Sequence, residues 1–274
     1  MMGVVAAASA GGEVPESLNL DFSAFGHEGG FTRPFRLRVI DALTRLQVER
    51  SRVVGAMERG QRVAARYFGR GAQEINVAMA KAAGTWRVLE SIRSSGTVEQ
   101  LSVSLPNNTY HMERGLRMTS VWHRLGLDAD VRLMLAGEDP SAYFFSYAPV
   151  PLKIIDRRSV LLDGPNVGGE MTVIEVEDPA CLAAARGYWD AVVSGMYPCD
   201  GETAALADLT VRQRRVIALM LTSSSDEEIS RKLGVSVRTV RTEIALVLSM
   251  LEAPNRFVAG VRLRERLGIG PLGG

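Results

Sequence analysis

The sequence predicts an α/β domain built on a mixed sheet, followed by an all-α unit of four helices. Between about residues 74 and 197, strand-like apolar runs alternate with helical ones. From residue 207 onward the apolar residues recur at spacings of three and four, punctuated by capping residues and one well-placed glycine. Charge divides the chain in the same way. Residues 207–270 hold eleven Lys and Arg against seven Asp and Glu, net +4, while the remainder holds 21 against 24, net −3.

Taken in order, residues 1–30 are rich in Gly, Ala and Ser and poor in branched apolar residues, which predicts a disordered tail. An ASA triplet near the start has a signal-peptide look, but no basic n-region precedes it and the apolar run is short. Pro34 then introduces a helix to about Tyr67, with Ile40, Leu43, Val54 and Met57 on one stripe that Gln47 and Arg50 interrupt. That segment, 31–73, serves either as a coiled-coil dimerisation helix or as a cover for the domain after it.

For the α/β domain, 74–200, LSVSLP from Leu101 reads as a strand, Met112 to Leu125 as a helix and VRLMLAG from Val131 as a strand. PLKIID and SVLLDG make a hairpin across Arg157 and Arg158, MTVIEVE is a further strand, and Pro179 opens a helix to about Met196. Tyr143, Phe144, Phe145 and Tyr147 are the densest aromatic group and are expected to fill the core. GPNVGG from Gly164 leads into a strand and lacks a Lys-Ser/Thr ending, so it is not a phosphate loop.

The last unit, 207–270, is the most legible. LTVRQRRVIALML forms a helix capped by Thr210, with Val216, Leu219 and Met220 inward. Ser225 followed three residues later by Glu228 is a capping-box pattern, so a second helix begins near Asp226. Its apolar stripe is Ile229 and Leu233, and Arg231 and Lys232 lie near its end on the solvent side. Gly234 ends it because a residue just past a helix often needs positive φ. Val235 plugs the gap between the helices, and Ser236 caps the next one, which buries Val240, Ile244, Val247 and Leu251 and turns Arg238, Thr239, Arg241 and Thr242 outward. Pro254 or Asn255 opens a fourth helix, with Phe257, Val258, Val261 and Leu263 apolar and Arg256, Arg262, Arg264 and Arg266 exposed. Two short helices joined by a tight turn are the build of a helix-turn-helix.

The register of LT at 209–210, Arg212 and Gln213, EIS at 228–230, LGVS at 233–236 and TV at 239–240 resembles the LuxR/GerE family of helix-turn-helix domains, over about 207–268. The resemblance implies that the third helix, about 236–250, enters the major groove of double-stranded DNA. It implies that Arg241 and Thr242 reach base edges while Ser236, Arg238 and Thr239 hold phosphates. The chain departs from that family at Gln213, Ser223, Glu243 and Ala245. Glu243 matters most, since a carboxylate near phosphates is repelled unless it pairs with an arginine or accepts from a cytosine amino group. LTVRQRRV also resembles the start of a sigma region-four helix set, although promoter-melting helices are missing upstream.

The VRLML run and VPLKIIDRRSVLLDG resemble the phospholipase D-like sensory domains of actinobacterial and TrmB-type regulators, over about Glu74 to Tyr197. Phosphodiesterase activity of that superfamily would need a nucleophilic His two residues before a Lys, and Pro151 stands there before Lys153. No enzyme activity is expected. Lys153, Asp156, Arg157 and Arg158 then form either a ligand or interface cluster or merely a polar hairpin turn.

Composition sets further bounds. Cys181 and Cys199 form no disulfide framework, and His27, His111 and His123 lack neighbours at ligand spacing, so a reducing cytoplasmic setting without metal or cofactor is expected. No stretch approaches the roughly 18 to 20 apolar residues of a membrane span. The expectation is a DNA-binding transcriptional regulator whose N-terminal domain senses an unidentified small-molecule ligand or mediates dimerisation. A net +4 is modest, so a homodimer supplies the remaining affinity at physiological salt. RNA polymerase is a second expected partner. The alternatives are a degenerate phospholipase D-like interaction protein and a sigma-like polymerase subunit. No acidic pair opens the chain as a two-component receiver would require.

Overall fold

A computed structural model describes residues 30–200, 209–223 and 225–266. The tail expected at 1–30 lies, save its last residue, outside the described residues, as do positions 207–208 and 267–270 of the C-terminal unit. Among the described residues the N-terminal part is a mixed sheet between two helical layers, and the C-terminal part is all helical.

Helix α1 spans Arg33–Glu58, capped by Thr32, and Gly60 in the left-handed region turns the chain out of it. The helix therefore stops well short of Tyr67. The next segment is strand β1, Ala65–Arg70, which pairs with a strand more than a hundred residues later, so 31–73 belongs to the α/β domain. Its inward stripe is Phe35, Val39, Leu46 and Val53, whereas Ile40 is partly exposed. These side chains pack with those of helix α5, Pro179–Val193, so α1 is a covering helix.

After α2 (Gly71–Ala83) and β2 (Val88–Arg93), three expected assignments are reversed. The run expected as a strand at Leu101 is helix α3, Val98–Met112, opened by a capping box between Thr97 and Gln100. Val98, Leu101 and Leu105 recur at helical spacing, and that period overrode the short alternation in SVSL. The expected helix 112–125 holds strand β3, Arg117–His123, where Met118 and Ser120 to Trp122 are all buried. A parallel strand covered on both faces loses its alternation and so resembles a helix segment. The expected strand at Val131 is helix α4, Ala129–Leu135, whose Val131, Leu133, Met134 and Leu135 are all buried; with Asp130 and Arg132 alternating about Val131, its seven residues are too few to reveal the helical period.

Strand β4 is Tyr143–Ser146, with Tyr143 and Phe145 fully buried in the core as expected for this aromatic group. The hairpin β5 (Leu152–Ile155) and β6 (Ser159–Asp163), strand β7 (Thr172–Val176) and α5 lie where the sequence places them; β8 (Tyr197–Pro198) closes one edge. The sheet order is β1-β7-β6-β5-β2-β3-β4-β8, with β2, β3 and β4 mutually parallel and the remaining pairs antiparallel.

One sheet face, with Ile92, Val121, Ile154, Val160 and Ile174, packs under α1 and α5. The other, with Leu89, Met118, Trp122, Tyr143 and Phe145, packs under α3 and α4. Asp156 and Arg157 carry positive φ in the hairpin turn, and the Asp156 carboxylate accepts from the amides of Arg87 at 2.9 Å and Val88 at 2.8 Å. Lys153 points into the sheet face under α3, toward Ser91. The four polar residues of this hairpin therefore do not gather into one cluster.

Helices α6 (Val211–Thr222), α7 (Asp226–Leu233), α8 (Val237–Met250) and α9 (Arg256–Arg266) make the C-terminal unit. Its core is continuous with that of α3 and α4: Val216, Ile217 and Leu219 of α6 share a cluster with Leu101, Leu105, Val131 and Leu135. Across this junction the Arg215 guanidinium donates to Glu138 Oε1, from Nε at 2.7 Å and also from its second nitrogen. Glu138 is only 8 % exposed, and burial raises its pKa despite Arg215. Among the described residues no helix is long and apolar enough to cross a membrane.

Candidate nucleic-acid interface

Each end of α7 and the start of α8 is set by the residue expected to set it. Ser225 Oγ accepts from the Glu228 amide at 3.2 Å, and Gly234 adopts φ +66°. Ser236 Oγ accepts from the Thr239 amide at 3.1 Å. The Ser230 hydroxyl donates to the Val235 carbonyl at 2.6 Å and fixes the turn between the helices. Val240, Ile244 and Val247 are then buried on one face of α8, with Leu251 just beyond it. Each such aliphatic side chain contributes about 1.5–3 kcal/mol on burial, enough to hold the helix face in place. Asn255 Oδ1 accepts from the Val258 amide at 3.0 Å and caps α9.

The opposite face of α8 is exposed at Arg238, Arg241, Thr242 and Ala245. Thr242 donates to the Arg238 carbonyl at 3.0 Å, and the Ser236 and Thr239 hydroxyls lie 2.8 Å apart. Helix and turn thus bring all five expected contact residues, Ser236, Arg238, Thr239, Arg241 and Thr242, to the N-terminal half of one helix. Their arrangement has a feature that local pattern did not reveal. Arg241 Nε lies 3.0 Å from Asp226 Oδ2, and Asp226 also accepts from Arg256. The Arg256 hydrogen bond, with help from Arg241, holds the Asp226 carboxyl below the usual carboxylate range. Asp226 therefore joins the starts of α7 and α9 to the outward face of α8. Fifteen positions separate it from Arg241, and no helical or strand spacing links them.

Glu243 has a partner as well. Arg212 on α6 stands 3.7 Å from its carboxylate, whose side chain is only 15 % exposed. Lys232, expected on the solvent side, is half-buried and bridges Glu228 at 3.0 Å. On α9 the expected apolar set divides: Leu263 is buried, whereas Phe257 and Val261 are exposed at 81 % and 44 %. Arg262 turns back to donate to the carbonyls of Leu251 and Glu252 at 2.7 and 2.6 Å.

A family of known domains matches this part of the chain. A model of sigma-70 region 4 matches residues 203–251, which include α6, α7 and α8. The chain is also 27 % identical over 118 residues to a bialaphos biosynthetic pathway regulatory protein of Streptomyces hygroscopicus, covering 43 % of this chain and 46 % of that protein. It thus spans less than half the length of that relative. The C-terminal helices have a helix-turn-helix fold of the DNA-binding kind.

Proposed function

We propose that this chain is a DNA-binding transcriptional regulator of the LuxR/GerE type, with α8 in the major groove. The carrying observation is the division of α8, with one face buried in its own unit and the other presenting Arg238, Arg241 and Thr242 to solvent. Arg241 and Thr242 read base edges, while Ser236, Arg238 and Thr239 at the helix start engage phosphates. The ion pair between Arg241 and Asp226 is no obstacle to this role. Arg241 is 65 % exposed, and Asp226, only 14 % exposed, keeps Arg256 as a partner when Arg241 leaves, so a guanine edge displaces the carboxylate without orphaning it. Arg212 answers the repulsion that Glu243 would otherwise exert on phosphate. In this reading two copies act together, since one net +4 unit binds DNA weakly at physiological salt. The α/β domain pairs the copies or senses a small molecule, in keeping with the resemblance of its VRLML and VPLKIIDRRSVLLDG runs to phospholipase D-like sensory domains.

Retardation of random-sequence duplexes, followed by selection of bound sequences, tests the proposal. Arg241→Ala should weaken selected sites by about 1–3 kcal/mol and relax preference at one position. Unchanged retention and preference would remove α8 as the reading helix. A second reading, direct contact of these helices with RNA polymerase, is favoured by the match to sigma-70 region 4. Co-sedimentation with core polymerase in the absence of DNA separates it from the first.

A further inference from the structure

Helix α1 covers the sheet with one face, and its opposite face is turned to solvent. Across the helix from the buried stripe of Phe35, Val39, Leu46 and Val53, the outer side carries Leu37, Ile40, Thr44, Val48, Ser51 and Gly55. Leu37 is 57 % exposed, Val48 62 % and Ile40 38 %. The Thr44 hydroxyl donates to the Ile40 carbonyl at 2.8 Å, so its polar group is satisfied within the helix. Charge is kept to one edge of this line, where Asp41 bridges Arg45 at 2.6 Å and Arg52 bridges Glu49 at 2.8 Å. Single exposed aliphatic side chains are ordinary on a protein surface, but a run aligned over most of a 26-residue helix is the pattern of a helix–helix seam.

The order of large and small residues along this face points to what covers it. Leu37 and Ile40 stand in the first half of the helix, Ser51 and Gly55 in the last, and Thr44 and Val48 between them. A second copy laid antiparallel about a midpoint near Leu46 therefore sets Leu37 against Gly55, Ile40 against Ser51 and Thr44 against Val48, each pair occurring twice by symmetry. Every bulky side chain meets a small one. Parallel copies would stack Leu37 on Leu37 and Gly55 on Gly55, which wedges the helices apart at one end. The edge charges favour the antiparallel arrangement too, because Asp41 then comes beside Arg52 of the second copy. At Gly55 only the flexible Arg59 guanidinium lies near the place a Cβ would occupy, so the backbones can approach closely there. The C-terminal helices pack with α3 and α4 on the other side of the sheet, so pairing through α1 leaves them uncovered.

We infer that the outer face of α1 pairs two copies of this chain, antiparallel about a two-fold axis. The inference supplies a surface for the pairing of copies that the proposed DNA binding calls for, but it is tested without DNA, so either can fail while the other stands. Size exclusion with light scattering of the full chain at micromolar concentration should return a dimer. Val48→Glu puts a carboxylate where the single copy already meets water, so the far-ultraviolet circular dichroism should match wild type while dimerisation weakens at least tenfold. Ile40→Cys combined with Ser51→Cys should give a disulfide-linked dimer in oxidised glutathione, and it serves if the first variant does not fold. Ser51→Cys alone should not cross-link, because antiparallel copies hold its two sulfurs about 15 Å apart along the helix axis. A wild-type monomer overturns the inference and leaves this face to a helix of another protein. So does a dimer that Val48→Glu leaves unweakened. Cross-linking by Ser51→Cys alone, or none by the double variant, overturns the antiparallel register.

Discussion

Replacing Lys153 by Met should change how stability depends on pH, and the size of the change follows from where the ammonium sits. Burial, reinforced by the nearby Arg93 charge, lowers its pKa from 10.5 to about 7. The folded state therefore releases this proton near neutrality, while the unfolded chain keeps it to about pH 10.5. Across that window the unfolded chain binds more protons, so unfolding free energy rises with pH. At about 1.36 kcal/mol per pH unit, the whole window corresponds to about 5 kcal/mol as an upper figure. Between about pH 7.5 and pH 9, wild type should gain about 2 kcal/mol relative to Lys153→Met. Below pH 7 the variant should be the more stable of the two, because methionine carries no charge to desolvate. Urea unfolding of both chains in chloride buffers free of phosphate and carboxylate measures this directly. Curves that stay parallel from pH 6 to pH 10 would refute the burial argument, since an ammonium in contact with water adds no such slope.

Arg215→Ala leaves the Glu138 carboxylate buried without its partner at the junction of the two parts, and should cost about 2–3 kcal/mol. Calorimetry should then show the C-terminal helices melting ahead of the sheet, where wild type gives one transition. Gly234→Ala meets no atom within 4 Å, so only its φ of +66° opposes it. A cost of about 1–2 kcal/mol in chemical denaturation is expected, with the helices on either side retained.

Local signals carried most of what was legible. The C-terminal helices were readable because each boundary is written within four residues: Ser225 with Glu228, Gly234 alone, Ser236 with Thr239. The β5–β6 hairpin and α5 were readable for the same reason, since Asp178 and Pro179 mark the start of α5. What failed was the interior of the sheet. β3 is covered on both faces, and α4 is a seven-residue helix with four buried apolar residues and only Ala129, Asp130 and Arg132 partly exposed, so neither shows the alternation or the stripe from which a period is read. The ties of the candidate sites were invisible on similar grounds. Lys153 meets Ser91 across 62 positions, and Arg215 meets Glu138 across 77, distances over which pattern carries no information. The side chains named for DNA contact came from the resemblance, whereas Asp226, the residue that holds one of them, emerged only from the fold.

The seating of α6 on α4 fixes how the chain can be divided. Val216, Ile217 and Leu219 have their apolar neighbours partly in the other half of the molecule, and Arg215 has its counter-ion there. A fragment beginning near residue 207 would present these side chains to water, so it would be a sticky piece rather than a miniature of the whole. The two halves are a single casting with two surfaces, and a swap of the DNA-facing half onto another carrier would have to bring α3 and α4 along.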